Sequence, residues 1–182
     1  SLEGEKADIG YYFPAGGTLS ALREERSGTW KQMATGGTDT VYTENYVTMW
    51  FDHGVQPDDG EYAYVLLPDK DAEATRKYAE NPNVEILSNT ADVQAVKEKR
   101  ENLLGVNFWN DKVQTVDILT CNKKAAVLLK NDGNCLDIAV SDPTQNNTDW
   151  IDIELDVPAS GILSSDENIV VKQLEPTIRF SV

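Results

Sequence analysis

The sequence has a single histidine, His53, among its 182 residues. A metal site built on histidines needs further ligands of that kind, and no Ser/His/Asp set is recognisable in the rest of the chain. His53 could act as a general base beside Asp52, or as one metal ligand. It could instead orient the loop at the mouth of a β-hairpin through backbone hydrogen bonds. The lack of partner residues favours this structural role.

Cysteines are almost as scarce, since Cys121 and Cys135 are the only two. A disulfide framework in a secreted domain usually has four or more. In the predicted sheet, one cysteine ends a strand and the other begins the next strand but one, at the opposite end of the sheet. A disulfide requires Cα atoms within about 7 Å of each other. We therefore expect two free thiols.

Long apolar runs are absent. No run approaches the roughly 18 apolar residues of a transmembrane helix. The first residues, Ser1–Lys6, show no signal-peptide pattern and resemble a fragment boundary. The glycine pairs Gly16-Gly17 and Gly36-Gly37 lack both the spacing and the following helix of a phosphate-binding loop. The sequence thus predicts neither a membrane span nor a nucleotide site.

Positive charge is in deficit, with 16 Lys and Arg against 31 Asp and Glu and a formal net charge of -15. The acidic excess is spread along the chain, as on a solvated surface, and a hydrophobic content of 40% indicates a globular protein. Such a surface repels nucleic acid and anionic membranes, because binding to either requires clustered Lys or Arg. Binding of an acidic polysaccharide would require a local basic patch as an exception to this acidic surface.

The nearest candidate for that exception is the segment LREER, which contains Arg23 and Arg26. An arginine can hold a carboxylate by two parallel hydrogen bonds, so the two residues are candidates for substrate binding. Alternatively, they pair with Glu24 and Glu25 across neighbouring strands. The second interpretation is favoured.

Acidic loops offer further candidates for a metal site. The EF-hand pattern is absent, but calcium could bind in an irregular loop, at Asp58-Asp59 or at Asp142 together with Asp149. The favoured alternative is that these carboxylates lie in solvated turns. No other cofactor is predicted.

Aromatic residues raise a second possibility for ligand binding. The four tryptophans and seven tyrosines could form a platform on which sugar rings stack. Most of them lie within predicted strands, where aromatic side chains commonly fill the space between two sheets. Burial in the core of a sandwich is therefore the favoured interpretation. The tryptophans are Trp30, Trp50, Trp109 and Trp150.

Short runs of β-favouring residues, separated by Gly, Pro, Asn and Asp, dominate the chain and predict about thirteen strands. Thr18–Arg26 is one strand, which Ser27-Gly28 interrupts and Thr29–Met33 resumes. Residues 41–52 and 61–67 are expected to pair as an antiparallel hairpin with a long loop. Residues 113–119 form one further strand. The pattern predicts an all-β protein of antiparallel sheets packed face to face.

Two local patterns predict a turn and a helix with specific bounds. Asn131-Asp132-Gly133 predicts a tight hairpin turn between strands 125–130 and 136–140. A single short helix is expected from Asp69 to Glu80, capped by Asp69 or Asp71 and ended by Asn81-Pro82. The segment around Pro82 is also the best candidate for a domain boundary, which gives domains of 1–82 and 83–182.

Several of these motifs resemble, in order, polysaccharide lyase family 8, the hyaluronate, chondroitin AC and xanthan lyases. The segment IGYYFPAGGTLSALREERSGTWKQM resembles part of the central β-sandwich of that family. The likeness continues through TMWFDHG, YAYVLLP and the helix DAEATRKYAENP. VEILSNTADVQAV and SDPTQ resemble the small C-terminal β-domain. The resemblance covers most of the chain.

The resemblance implies part of a large super-sandwich followed by a small C-terminal β-domain. It also implies a secreted parent enzyme, a carbon–oxygen lyase that cleaves uronic-acid-containing polysaccharides by β-elimination. In the family the catalytic Asn, His and Tyr lie in an N-terminal α/α-toroid domain, and no position here carries them over. This chain alone is accordingly expected to be inactive, to support the toroid and to form a wall of the substrate cleft, where Arg23 or Arg26 could contact an acidic group. An autonomous carbohydrate-binding module and a purely structural or interaction module remain as alternatives.

Overall fold

The computed structural model describes residues 8–182, and strands make up 44% of it against 7% helix. The predicted all-β class with one α-helix is confirmed. The strands in chain order are β1 (Ile9–Tyr12), β2 (Leu19–Gly28), β3 (Tyr42–Phe51), β4 (Val65–Pro68), β5 (Val84–Asn89), β6 (Val93–Glu98), β7 (Leu103–Phe108), β8 (Gln114–Val116), β9 (Leu119–Cys121), β10 (Ala125–Asn131), β11 (Leu136–Ser141), β12 (Asp152–Leu155), β13 (Val170–Gln173) and β14 (Ile178–Ser181).

The chain divides into two compact units, Ser1–Thr75 and Arg76–Val182. Within the described part of the first unit, β1 pairs with β4 and β2 pairs with β3, each as a two-stranded antiparallel sheet. In the second unit, ten strands form two five-stranded sheets. The proposed domain boundary near Pro82 stays a prediction.

The pairing in the first unit differs from the predicted hairpin of 41–52 with 61–67. Strand β3 pairs along its whole length with β2, from Leu19 opposite Phe51 to Gly28 opposite Tyr42. Strand β4 pairs instead with β1, with Ile9 opposite Pro68. A ten-residue strand gains a complete set of ladder hydrogen bonds only from a partner of equal length, which β2 supplies and the four-residue β4 does not.

The expected resumption of this strand at Thr29–Met33 is also wrong. Strand β2 runs without a break through Gly28, and Trp30–Gln32 form a 3₁₀ helix. The backbone N–H of Thr29 donates to Oε1 of Gln32 at 3.0 Å, which satisfies a free donor at the helix start. Gly37 lies so close to this turn that a Cβ there would sit 2.3 Å from the Trp30 carbonyl carbon.

The α-helix, α1 (Ala72–Glu80), confirms the predicted helix, and the structure decides between the two candidate caps. The backbone N–H of Ala74 donates to Oδ1 of Asp71 at 2.8 Å, so Asp71 is the N-cap. Asp69 has a left-handed backbone conformation with φ of 58°. Asn81 and Pro82 follow the helix, as predicted.

The second unit is a sandwich of two antiparallel sheets. The first sheet has the order β11-β10-β7-β6-β5, and the second has the order β13-β14-β12-β9-β8. The side chains that alternate inward from both sheets form one aliphatic core around two phenylalanines. Its fully buried members include Phe108 from the first sheet and Leu119, Ile153 and Leu155 from the second. The predicted turn at Asn131-Asp132-Gly133 joins β10 and β11.

Residues 113–119 do not form the single strand that was expected. The chain turns at Asp117, whose φ is 52°, and the segment splits into β8 and the start of β9. The two cysteines do not share the one sheet that was expected, because Cys121 is buried at the end of β9 in the second sheet and Cys135 is half-buried just before β11, a strand of the first sheet. Both carry free thiols.

Candidate functional site

The two candidate arginines lie on the β2–β3 ribbon, on opposite faces of it. Successive side chains of a strand alternate between faces, so residues three apart point in opposite directions. Arg23 is opposite Val47 in the register, whereas Arg26 is opposite Glu44. The structure therefore does not bring the two guanidinium groups together into one clamp.

The guanidinium of Arg26 is hydrogen-bonded to a residue of its own strand. Its Nε donates to Oε1 of Glu24 at 2.6 Å, and its Nη2 donates to the same oxygen. The guanidinium carbon lies 5.9 Å from the ring centroid of Tyr46, within the range of a cation–π contact. The expected pairing with a neighbouring glutamate is present, but within β2 rather than across strands. A substrate carboxylate would have to compete with Glu24.

The guanidinium of Arg23 is exposed and makes no hydrogen bond or ion pair with residues 8–182. An unpaired guanidinium retains all five donors for an incoming carboxylate. Of the two candidates, Arg23 is therefore the one whose charge is available.

His53 belongs to an aromatic cluster at the end of β3. Its ring lies 6.4 Å from that of Phe51, with an angle of 27° between the planes. A Cβ added at Gly60 would lie 3.0 Å from Cγ of His53, so the loop backbone passes directly over the imidazole. Oδ1 of Asp52 accepts a hydrogen bond from the backbone N–H of Gly54 at 2.9 Å. This packing agrees with a histidine that shapes its loop.

The tryptophans are not core residues, which corrects the favoured interpretation of the sequence. All four are at least 42% exposed. The space between the two sheets of the second unit is filled by aliphatic side chains with Phe108 and Phe180. On the ribbon, Tyr42, Tyr46 and Trp50 share one face, because they are four residues apart in β3.

Of the acidic residues proposed for calcium, Asp142 and Asp149 hold other partners. The carboxylate of Asp142 accepts hydrogen bonds from the backbone N–H groups of Thr144, Asn146 and Asn147 and from the Thr144 hydroxyl. These donors lower the pKa of Asp142 to about 2, with the Thr144 hydroxyl contributing most. Asp149 pairs with Lys123 at 3.0 Å. Within residues 8–182, no group of three or more His, Cys, Asp or Glu is arranged to hold a metal.

A polar network on the outer face of the second sheet was not predicted. Oδ1 of Asp152 accepts from Nζ of Lys172 at 2.6 Å, and Oε1 of Glu154 accepts from Nη2 of Arg179 at 2.9 Å. The pKa of each carboxyl is lowered, chiefly by its cationic hydrogen-bond partner. In β12 these acids alternate with the buried Ile153 and Leu155, so they point outward. Their partners come from strands 20 or more residues further along the chain, which no local pattern indicates.

No helix of the described residues is both long and apolar enough to cross a membrane.

Comparison with known proteins gives a consistent result along the chain. Residues 2–79 match the super-sandwich domain of polysaccharide lyase family 8, and residues 85–150 match the C-terminal beta-sandwich domain of the same family. A xanthan lyase of Bacillus sp. (strain GL1) is 50% identical over 179 residues. Hyaluronate lyase HylB of Enterococcus faecalis is 35% identical over 164 residues.

Solved structures give the same picture. A Paenibacillus xanthan lyase superposes with a TM-score of 0.89 at 46% identity, over 97% of this chain and 17% of its own. A chondroitin AC lyase of Streptomyces coelicolor A3 gives a TM-score of 0.83 at 28% identity, over 94% of this chain and 23% of its own. The sequence relatives cover 97% and 90% of this chain, which spans only 19% and 16% of their length. This chain matches the C-terminal β region of these enzymes, and it belongs to polysaccharide lyase family 8.

Proposed function

We propose that this chain is the non-catalytic C-terminal β region of a secreted lyase that cleaves a uronic-acid-containing polysaccharide, such as hyaluronan, chondroitin or xanthan, by β-elimination. In this role it supports a catalytic toroid and forms one wall of the substrate cleft. The observation that carries the proposal is the exposure of apolar side chains in the first unit, whose described strands form only two-stranded sheets.

Two-stranded ribbons are marginally stable in water unless another layer covers them. The β2–β3 ribbon exposes Val47 at 64% and Trp50 at 44%, and on β4 Leu66 is 50% exposed. Apolar side chains at this density on a sheet are expected to contact protein. The relatives are several times longer than this chain, so a covering layer from the same polypeptide is consistent with their size.

The chemistry available on the chain supports a non-catalytic role. β-Elimination needs a base near the C5 proton of the uronate and a group that neutralises its carboxylate. His53 stacks on Phe51 beside the backbone of Gly60, and the guanidinium of Arg26 is bonded to Glu24. The base and the group that neutralises the carboxylate would therefore have to come from another part of the enzyme.

The direct test is an ultraviolet assay for the conjugated double bond of the unsaturated uronate product. The 182-residue chain should show no turnover of hyaluronan, chondroitin or xanthan at any concentration tested. Turnover that persists after a further purification step would refute the non-catalytic assignment. Detection of the parent protein in the culture medium of its host would test secretion.

The wall of the cleft is tested separately, through Arg23 in the longer protein that contains this region. Arg23→Ala should raise KM for an acidic polysaccharide by about tenfold, the effect of losing roughly 1.4 kcal/mol of charge-assisted hydrogen bonding, while kcat stays within twofold. The matched control is Arg100→Ala, since Arg100 is also highly exposed and has only a 3.8 Å contact with Glu101. Equal KM values for the two variants would remove Arg23 from the cleft.

A further inference from the structure

The outer face of the first sheet in the second unit has an unusual composition. In β7, Leu104, Val106 and Phe108 point into the core, so Gly105 and Asn107 lie on the outer face. Trp109 continues the outward series beyond the end of β7, and its backbone N–H donates to the carbonyl of Asp92 at 2.9 Å. These three outward residues form a line along the strand at the centre of the sheet.

Side chains of the two neighbouring strands stand on both sides of this line. Gly105 is opposite Val96 on β6 and opposite Leu128 on β10, and these two side chains are 39% and 49% exposed. A Cβ built at Gly105 would meet no atom within 4 Å. A glycine between two branched aliphatic side chains leaves a trough along β7, which we call the β7 trough. Its lining residues are Gln94, Val96, Gly105, Asn107, Trp109 and Leu128.

One end of the trough holds an oriented aromatic ring. The indole Nε1–H of Trp109 donates to Oε1 of Gln94 at 3.3 Å, and the ring is still 42% exposed. The side-chain amide of Asn107 is exposed and makes no hydrogen bond with residues 8–182. The trough thus combines an aromatic face, two apolar walls and free amide groups, a mixture typical of sites that orient a ligand by a few polar contacts.

The lining of the trough differs in charge from its surroundings, which include Glu98 and Lys130 beside Leu103 at the other end of β7. None of the six lining residues is charged, in a chain in which 26% of residues are charged and the net charge is -15. The outer face of the second sheet, by contrast, carries the ion pairs Lys172–Asp152 and Arg179–Glu154. Asp92, two residues before Gln94, is paired with Lys112. An anionic ligand would find no cation in the trough and would be repelled by the protein as a whole.

We propose that the β7 trough binds an uncharged, extended β-linked glycan segment, with a sugar ring stacked on Trp109 and its hydroxyl groups bonded to Asn107 and Gln94. A straight trough along a strand fits a chain that is itself straight, and neutral sugar rings offer an apolar face beside hydroxyl groups. The site is additional to the proposed support of a catalytic domain and does not depend on it.

Titration of the ¹⁵N-labelled 182-residue chain with cellohexaose tests the proposal, with calorimetry to measure Kd. The Trp109 indole signal should shift most among the four tryptophans, and the shift should saturate. Gly105→Val should weaken binding at least tenfold by filling the trough, and Trp109→Ala should do the same. Gly105→Val is expected to fold, because the added side chain points into open space from a strand. Its circular dichroism and melting curve would verify this.

Trp150→Ala is the matched control, since Trp150 lies in the same unit, is 56% exposed and is not part of the trough. Its Kd for cellohexaose should equal that of the unchanged chain. The proposal is overturned if cellohexaose does not bind saturably or if binding survives Gly105→Val. It is also overturned if a hyaluronan hexasaccharide shifts the same residues equally. Self-association that Gly105→Val abolishes, without glycan binding, would instead identify the face as a protein contact.

Discussion

Replacement of Phe108 by alanine should cost the second unit a large part of its stability. The ring is fully buried, and its nearest cross-strand neighbours are Val93 on β6 and Ala125 on β10. Small neighbours held in register by ladders on both sides cannot move in to fill the space that the ring leaves. We therefore expect a loss within the range of roughly 3–5 kcal/mol for such truncations, with about 4 kcal/mol as the working value.

The assay is urea unfolding of the 182-residue chain followed by far-ultraviolet circular dichroism, with the free energy of unfolding taken from the midpoint at unchanged slope. Trp109→Ala is the adjacent control. That side chain lies on the outer face, so its removal should cost no more than about 1 kcal/mol. A Phe108→Ala loss below about 1.5 kcal/mol, or equal losses for both variants, would refute the assignment of these two residues to opposite faces of β7.

Two further predictions concern titratable groups. The Asp142 pKa of about 2 lies below its ordinary 3.8, so this carboxylate stabilises the fold above pH 3.8 and loses that contribution as the pH falls toward 2. A titration followed by the carboxyl ¹³C signal of Asp142 should give a pKa of about 2. Thr144→Val should raise that pKa. An Asp142 pKa near 3.8 in the unchanged chain would contradict the loop geometry. For the thiols, burial raises the pKa of both Cys121 and Cys135. Labelling of the folded chain at pH 8 should modify Cys135 slowly and Cys121 only after denaturation, as peptide mass spectrometry can show.

Local sequence patterns are most informative in the second unit, because most of its first sheet is built from neighbours in the chain. Strands β5, β6 and β7 follow one another and pair in that order, and the Asn131-Asp132-Gly133 turn fixes β10 against β11. A hairpin needs only a turn signal between two alternating runs. The split between β8 and β9 was missed because a left-handed aspartate, Asp117, has no distinctive neighbour such as glycine to mark it.

The first unit was harder because β1 and β4 are far apart in the chain, and β2 and β3 are joined by residues 29–41 and not by a tight turn. Strand β3 pairs with β2 and not with β4 because β2 has the same length as β3. The alternation of residues 61–67 did not show how many of these residues would pair. The opposite orientation of Arg23 and Arg26, by contrast, could have been derived. Two residues three apart in an uninterrupted strand must face opposite ways.

Side-chain exposure was the least predictable property, and it decides the functional interpretation. Period-two alternation states which residues share a face, but not which face is covered. In β7 the structure places Leu104, Val106 and Phe108 in the core, and the adjacent Trp109 follows on the outer face. There Gln94, fifteen residues earlier in the chain, accepts the hydrogen bond of the indole N–H. A buried tryptophan needs a partner for that N–H inside the core, where this sandwich is aliphatic, so the polar partner and the exposure of the ring have a common cause.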